Sequence, residues 1–228
     1  MKRVVSILAV IIIVVSCNNN SSVTKNEVNA VQQVLNFYGG ECLRSKGVKS
    51  ENGNNTTYFE IEISKSELLN LDSKNVLSHS ANIAYLFYSN LGSEKANYNE
   101  IKVKVDLSNG SNQEFVYSNK ELDKIEKLEP YLKRIIDKIT NKNYKELSSL
   151  FDESVKVNPS SIGDLFSSLE GQYGEIKKSQ TQGFENKKTN NFGDVVLVRE
   201  ILVLEKKSIT MNLIFKKDSG KLISIEFE

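Results

Sequence analysis

Histidine is almost missing from this chain: His79 is the only one in 228 residues. A single histidine excludes a His-pair metal site and an HExxH metalloprotease helix; zinc would have to be held by Cys42, His79 and carboxylates, an ill-matched set. Cysteine is scarce too, with only Cys17 and Cys42. No Gly-x-Ser-x-Gly stretch is present to expose a serine nucleophile, so a triad built through His79 has no elbow to stand on. His79 lies between Ser78 and Ser80 beside a helix start and reads as a solvated histidine near a cap. Phosphate loops are missing as well, since neither Gly-x-Gly-x-x-Gly nor Gly-x-x-x-x-Gly-Lys occurs, and Gly171 and Gly174 fall at a helix C-terminus, the wrong end of the dipole for an anion. Asp106 to Glu114 lacks acidic residues at alternating ligand positions and is read as a hairpin turn, not a calcium loop. No catalytic residue, no metal site and no cofactor site is expected.

Charge of one sign is also lacking. The chain has 30 basic and 29 acidic side chains, a balance that gives no global attraction to nucleic acid. Lysine pairs do occur, at Lys177–Lys178, Lys187–Lys188, Lys206–Lys207 and Lys216–Lys217. In an up-and-down meander successive turns lie at opposite ends, which disperses these pairs, and Glu175, Glu185, Glu200 and Glu205 interleave with them. They read as solvated strand ends and edge protection. Hydrophobic content of 39%, with ten Phe and nine Tyr, argues for a folded core.

Long apolar runs are limited to one. Met1, Lys2 and Arg3 precede twelve almost wholly apolar residues, Val4 to Val15, then Ser16 and Cys17. A membrane-spanning helix needs about 20 apolar residues, and a run of this length reads as a secretory h-region. With Val14-Val15-Ser16-Cys17 at the cut, the segment resembles a bacterial lipoprotein signal. That resemblance implies cleavage after residue 16, acylation of Cys17 and attachment to a membrane through its lipid. Asn18 is not an aspartate-type inner-membrane retention signal, which favours the outer membrane, facing the periplasm. Loss of Lys2 and Arg3 leaves the mature chain at a net charge of about minus one. Asn18 to Ser22 form a polar tether. Once Cys17 is acylated, Cys42 has no partner in the chain and reads as a buried structural thiol.

The organisation expected is a signal peptide at 1–16, a tether at 17–23, an α+β domain at 24–118 and a second α+β domain at 119–228. Thr24 with Glu27 has capping-box spacing, followed by Val28, Val31, Leu35 and Tyr38 at helical intervals and stopped by Gly39 and Gly40. Residues 44–55 are polar and read as a loop. Thr57 to Ser64 alternates, with Phe59, Ile61 and Ile63 on the apolar face. A broadly apolar helix is expected from Ser78 to Leu91, then Ile101 to Val105 and Phe115 to Tyr117 as a hairpin around Asn109-Gly110. Tyr85, Phe87 and Tyr88 read as core rather than as a binding platform.

In the second part, Ser118 with Glu121 starts another helix, expected to break or restart at Pro130. Tyr144, Leu147 and Phe151 mark a helical stretch, and Pro159 to Leu169 a further helix. Four strands follow, near 176–184, 195–204, 208–215 and 221–227. Their inward candidates are Val196, Val198, Ile201, Val203, Ile209, Met211, Leu213 and Phe215. Helices followed by a meander is α+β order. The stretches KNYKELSSLFDESVK, LEGQYGEIKK and LIFKKDSGKLISIEF make residues 130–228 resemble small envelope domains of the cystatin-like, or nuclear transport factor 2-like, fold. Enzymes of that fold use an acid, His or Tyr inside the cone between helix and sheet, and here that cone reads as apolar.

The function expected is a lipid-anchored envelope protein without catalysis, binding an unknown envelope protein or small ligand or contributing structurally. The alternative is a small-molecule-binding or hydrolytic protein using a pocket of the C-terminal domain. A third is a first domain that binds peptide or glycan on its hairpin.

Overall fold

The computed structural model describes residues 23–51 and 53–228. The signal segment, Cys17 and nearly all of the tether therefore lie outside the described residues. The fold is α+β, with helices and two four-stranded sheets.

Helix α1 (Lys25–Tyr38) begins with the capping box that its sequence announces. Thr24 Oγ1 accepts from the Glu27 amide at 3.1 Å, and Glu27 accepts from the Thr24 amide at 2.9 Å. Ala30, Val31, Val34 and Tyr38 are its buried face, while Val28 stays exposed. Gly40 ends the turn with φ of 78°, and a Cβ there would sit 2.3 Å from the Ser64 carbonyl oxygen.

The stretch expected as a loop is instead strand β1 (Glu41–Glu51), antiparallel to β2 (Asn54–Ser64) with Lys46 opposite Phe59. It lies at the edge of the first sheet, so few of its side chains are buried. Backbone pairing is enough to place such a strand, and no apolar alternation is needed.

From β2 the chain passes through the short helix α2 (Glu67–Leu71), a 3-10 turn at Ser73–Asn75 and helix α3 (Val76–Ser89) before entering β3 (Glu100–Asp106). The crossover makes β2 and β3 parallel, with Ile61 beside Val103. A helix between parallel strands is the usual consequence of such a connection. β3 then turns through Asn109-Gly110, Gly110 having φ of 83°, into antiparallel β4 (Asn112–Ser118). Phe59, Ile61, Ile63, Ile101, Val103 and Val105 form the covered face, as their alternation predicts.

β4 ends and helix α4 (Asn119–Thr140) begins at Ser118, whose capping box with Glu121 is formed. The helix runs unbroken through Pro130. Pro130 is solvent-exposed, and the stripe Leu122, Ile125, Ile135 and Ile139 stays buried on both sides of it. Continued packing of that stripe outweighs the missing backbone hydrogen bond. Helices α5 (Tyr144–Ser148) and α6 (Pro159–Tyr173) follow, the latter capped by Asn158. Phe151, expected to continue the helix, forms a bridge to Leu222 instead.

The second sheet is an antiparallel meander in sequence order: β5 (Ile176–Thr189), β6 (Gly193–Leu204), β7 (Ser208–Lys216) and β8 (Leu222–Phe227). α4 meets it through Tyr131 on Phe215, and α6 through Phe166 on Phe227. Helix α3 touches both sheets. Its Phe87 stacks on Phe59 of β2 with centroids 4.3 Å apart, and its Tyr85 meets Phe184 of β5 edge-on. Most of the buried apolar side chains of the two sheets belong to one connected cluster.

Candidate functional site

Three places bring polar chemistry into the interior. The first is the inner face of the meander. Val196 and Val198 point inward as expected, but the alternation then continues through Glu200, Leu202 and Leu204, not through Ile201 and Val203. Glu200 lies only 2% exposed, and the hydroxyls of Ser179 and Thr181 on β5 donate to its two carboxylate oxygens. Burial pushes its pKa up, against the pull of those two hydroxyls. Strict period-two counting from Val196 would have found it, since a one-residue slip exchanges the two faces of a strand.

Beside Glu200, with Thr181 between, α3, α4 and the β5–β6 pair enclose a cavity of about 190 Å³. Leu86, Ile125, Leu128, Phe184 and Val198 make its lining largely apolar, with Asn82 and Glu129 at its margin. Tyr85 donates to Glu129 at 2.7 Å, and burial together with that carboxylate keeps the phenol protonated. The volume falls below the roughly 300–1,000 Å³ of ordinary ligand pockets.

The second place surrounds His79, which is fully buried where solvent exposure was expected. Its Nε2 lies 3.0 Å from Asp72 Oδ2, and its Nδ1 lies 3.4 Å from the Tyr38 hydroxyl. Asn82 donates to that hydroxyl at 3.0 Å, and the hydroxyl donates to the His79 carbonyl at 3.2 Å. The same network leaves the first half of the chain through Asp72. Asp72 accepts from Asn75, whose Oδ1 accepts from Arg199 at 3.0 Å, and Arg199 pairs with Glu228 at 2.8 Å. Val76, His79, Ser80, Ile83, Ala84 and Phe87 share helical spacing and are all buried. That period is the signal that His79 belongs to the inner face.

Tyr38, His79 and Asp72 have the order of a proton relay, but their surroundings suit a clamp. Burial raises the Tyr38 phenol far above its ordinary range, and only 2% of the residue is exposed. Asp72 and Tyr38 both belong to the lining of the wide groove of about 650 Å³ that runs past Phe37, Leu68, Leu71 and Gln182, whereas His79 does not.

Burial lowers the His79 pKa below 6.5, outweighing the pull of Asp72, with Arg199 adding to the fall. The unfolded chain therefore binds the proton more readily than the folded one, and stability is lost as pH falls below about 6.5. Glu200, with its raised pKa, tilts the profile the other way. The His79 contribution is therefore isolated as a difference between parent and His79→Gln. Urea unfolding at pH 7 and pH 5.5 should show the parent losing about 1 kcal/mol more than the variant. Parallel profiles would rule out a titrating His79.

The third place is Glu27, buried at the start of α1. It pairs with Lys46 of β1 at 3.0 Å and also accepts from the Tyr98 hydroxyl. Burial alone would raise its pKa, but Tyr98, the Thr24 amide and Lys46 together bring it down. The pair pins the edge strand to the first helix. Cys42, expected to be buried, is half-buried on that edge strand; burial pushes its thiol up to about 11, so it stays protonated. Among the described residues no three His, Cys, Asp or Glu side chains stand close enough to hold a metal ion.

No protein-family model and no curated protein matches this chain. Among solved structures, Bd1075 of Bdellovibrio bacteriovorus aligns at 16% identity over 77% of this chain, with a TM-score of 0.34. The alignment spans 62% of that protein's length. A likeness this slight bears on neither fold nor function.

Proposed function

We propose that the chain is a lipid-anchored protein of the bacterial cell envelope, a non-catalytic binding or structural module held to the membrane by an acylated Cys17. The observation that carries this reading is the run from Met1 to Cys17, with its basic start, twelve-residue apolar stretch and Val-Val-Ser-Cys end. One structural feature accords with it: helix α1 begins at Lys25, a short way along the chain from Cys17. His79, Glu200 and Glu27 are all buried in internal hydrogen bonds, which suits a module without acid–base chemistry. Asn18 favours the outer membrane, facing the periplasm. The likeness of residues 130–228 to cystatin-like envelope domains belongs to the same reading, supported by α4 and α6 packed on a four-stranded meander. The cavity beside Glu200 is small for a substrate, which weighs against the pocket-based alternative at that place.

Metabolic labelling with an alkyne-bearing palmitate tests the anchor. The parent should carry label and partition into detergent; Cys17→Ala should lose the label entirely and appear in the aqueous fraction. Label that survives Cys17→Ala sinks the reading.

A further inference from the structure

Helix α4 separates its charges by face. Three of its acids reach toward the first half of the chain: Asp123 accepts from Tyr88 at 2.5 Å, Glu126 pairs with Lys95 at 2.5 Å, and Glu129 accepts from Tyr85. Lys120, Lys124 and Lys127 recur at i, i+4 and i+7, which places them on one stripe. Lys124 and Lys127 form one wall of a cleft of about 410 Å³ whose other wall is the β7–β8 turn, with Lys217, Asp218 and Gly220. Tyr131 and Leu128 also line it. An adjoining depression shares Lys124 and Lys217 and adds Asp194.

None of these three lysines has an ion-pair partner among the described residues, whereas Lys95, Lys104, Lys138 and Lys177 all do. The carboxylate on the cleft wall, Asp218, accepts from the backbone amide of Ser219. Three ammonium groups around one concavity thus leave an excess of positive charge in a chain that is otherwise balanced. Ammonium groups bind phosphate as point charges and need no fork geometry.

Side-chain bonds tie the helix that carries the cleft lysines to the place where the chain enters the fold. Thr24 and Asn26 both donate to Glu94, at 2.6 and 3.0 Å. The next residue, Lys95, is the partner of Glu126, which precedes Lys127. From Cys17 to Thr24 a fully extended chain spans at most about 25 Å. A protein anchored at Cys17 therefore keeps this end within reach of the headgroup layer.

We infer that the cleft between α4 and the β7–β8 turn binds the phosphate of an anionic lipid headgroup in the membrane that holds Cys17. The inference rests on the lipid-anchored reading, and the two are tested separately. The chain from residue 17 onward carrying Cys17→Ser has no acyl group, so any membrane binding must come from the folded surface. Co-sedimentation should show it bound to vesicles containing phosphatidylglycerol and not to pure phosphatidylcholine vesicles, with binding that weakens as salt rises. Lys124→Gln, Lys127→Gln and Lys217→Gln together should weaken that binding roughly ten- to a hundred-fold. The matching set Lys74→Gln, Lys145→Gln and Lys178→Gln should leave it unchanged, and unchanged thermal unfolding checks that both sets fold. Equal binding to both vesicle types, or binding indifferent to the cleft lysines, overturns the inference. So does tight binding of soluble glycerol phosphate in the absence of vesicles, which would make the cleft a free-phosphate site. Failure here with palmitate still on Cys17 removes the cleft and leaves the anchor standing.

Discussion

Gly183→Ala should unfold this protein more readily than any ordinary surface change, lowering stability by about 4 kcal/mol. Gly183 sits on β5 at φ 155°, beside a bulge in its pairing with β6. A Cβ there would lie 1.9 Å from the carbonyl oxygen of Ser78 and 2.6 Å from its carbonyl carbon. Those atoms are backbone of α3, so no rotamer change relieves the clash; the helix and the strand must part. Parting them also disturbs Phe184 against Tyr85 and Tyr117, and the bond from Arg199 to Asn75. Both sheets share the buried cluster that α3 completes, so the loss should appear as one cooperative transition shifted to lower urea. Gly171→Ala is the informative control. Gly171 lies in α6 with nothing within 4 Å of its Cβ position, and replacing a helical glycine there should raise stability by about 0.5–1 kcal/mol. If Gly183→Ala behaved like Gly171→Ala, the close contact between α3 and β5 would be wrong.

Much of this fold is local enough to be legible in the sequence. Thr24 with Glu27 and Ser118 with Glu121 announce their helices because a capping box is completed within four residues. Asn109-Gly110 announces its hairpin for the same reason. What escapes are the features whose causes lie far along the chain. β1 looks like a loop because its stabilising partners are the backbone groups of β2, not an apolar face of its own. Pro130 looks like a break because the sequence shows the missing amide but not the core under Leu122 and Ile135 that keeps the helix continuous. The parallel pairing of β2 with β3 follows from where α3 packs, and α3 packs on both sheets.

The interior polar groups divide in the same way. His79 was readable in principle, because Val76, Ile83 and Phe87 share its helical face. Its partners Asp72 and Tyr38 were not, since the 41 positions between Tyr38 and His79 leave no spacing rule to connect them. Glu200 needed only consistent parity along β6, yet the hydroxyls of Ser179 and Thr181 that make its burial tolerable belong to another strand. The cleft lysines show the converse. Lys124 and Lys127 are an unremarked helical stripe in sequence, and only the β7–β8 turn opposite them turns the stripe into a concavity.

Glu200 yields the second large effect, because the cost of losing it should fall as pH rises. Its folded-state pKa is raised above 4.5 by burial. The protonated form's contribution is therefore fully present below pH 4.5 and is lost as pH rises through the folded-state value. Glu200→Ala removes the buried methylenes and leaves the Ser179 and Thr181 hydroxyls without a partner on the inner face. At pH 5, nearer the range in which the protonated Glu200 contributes fully, this should cost about 3 kcal/mol. At pH 8 the parent has lost more of that advantage, so the cost should be smaller than at pH 5. Glu200→Gln keeps shape and hydrogen bonding but cannot ionise. It should lie within about 1 kcal/mol of the parent at pH 5 and gain on the parent as pH rises to 8. Urea unfolding of the three proteins at both pH values measures all four differences. A Gln variant weakened equally at pH 5 and pH 8 would mean that Glu200 stays ionised at both, held by its hydroxyl donors against the pull of burial, and that the inner face of the meander tolerates a charge.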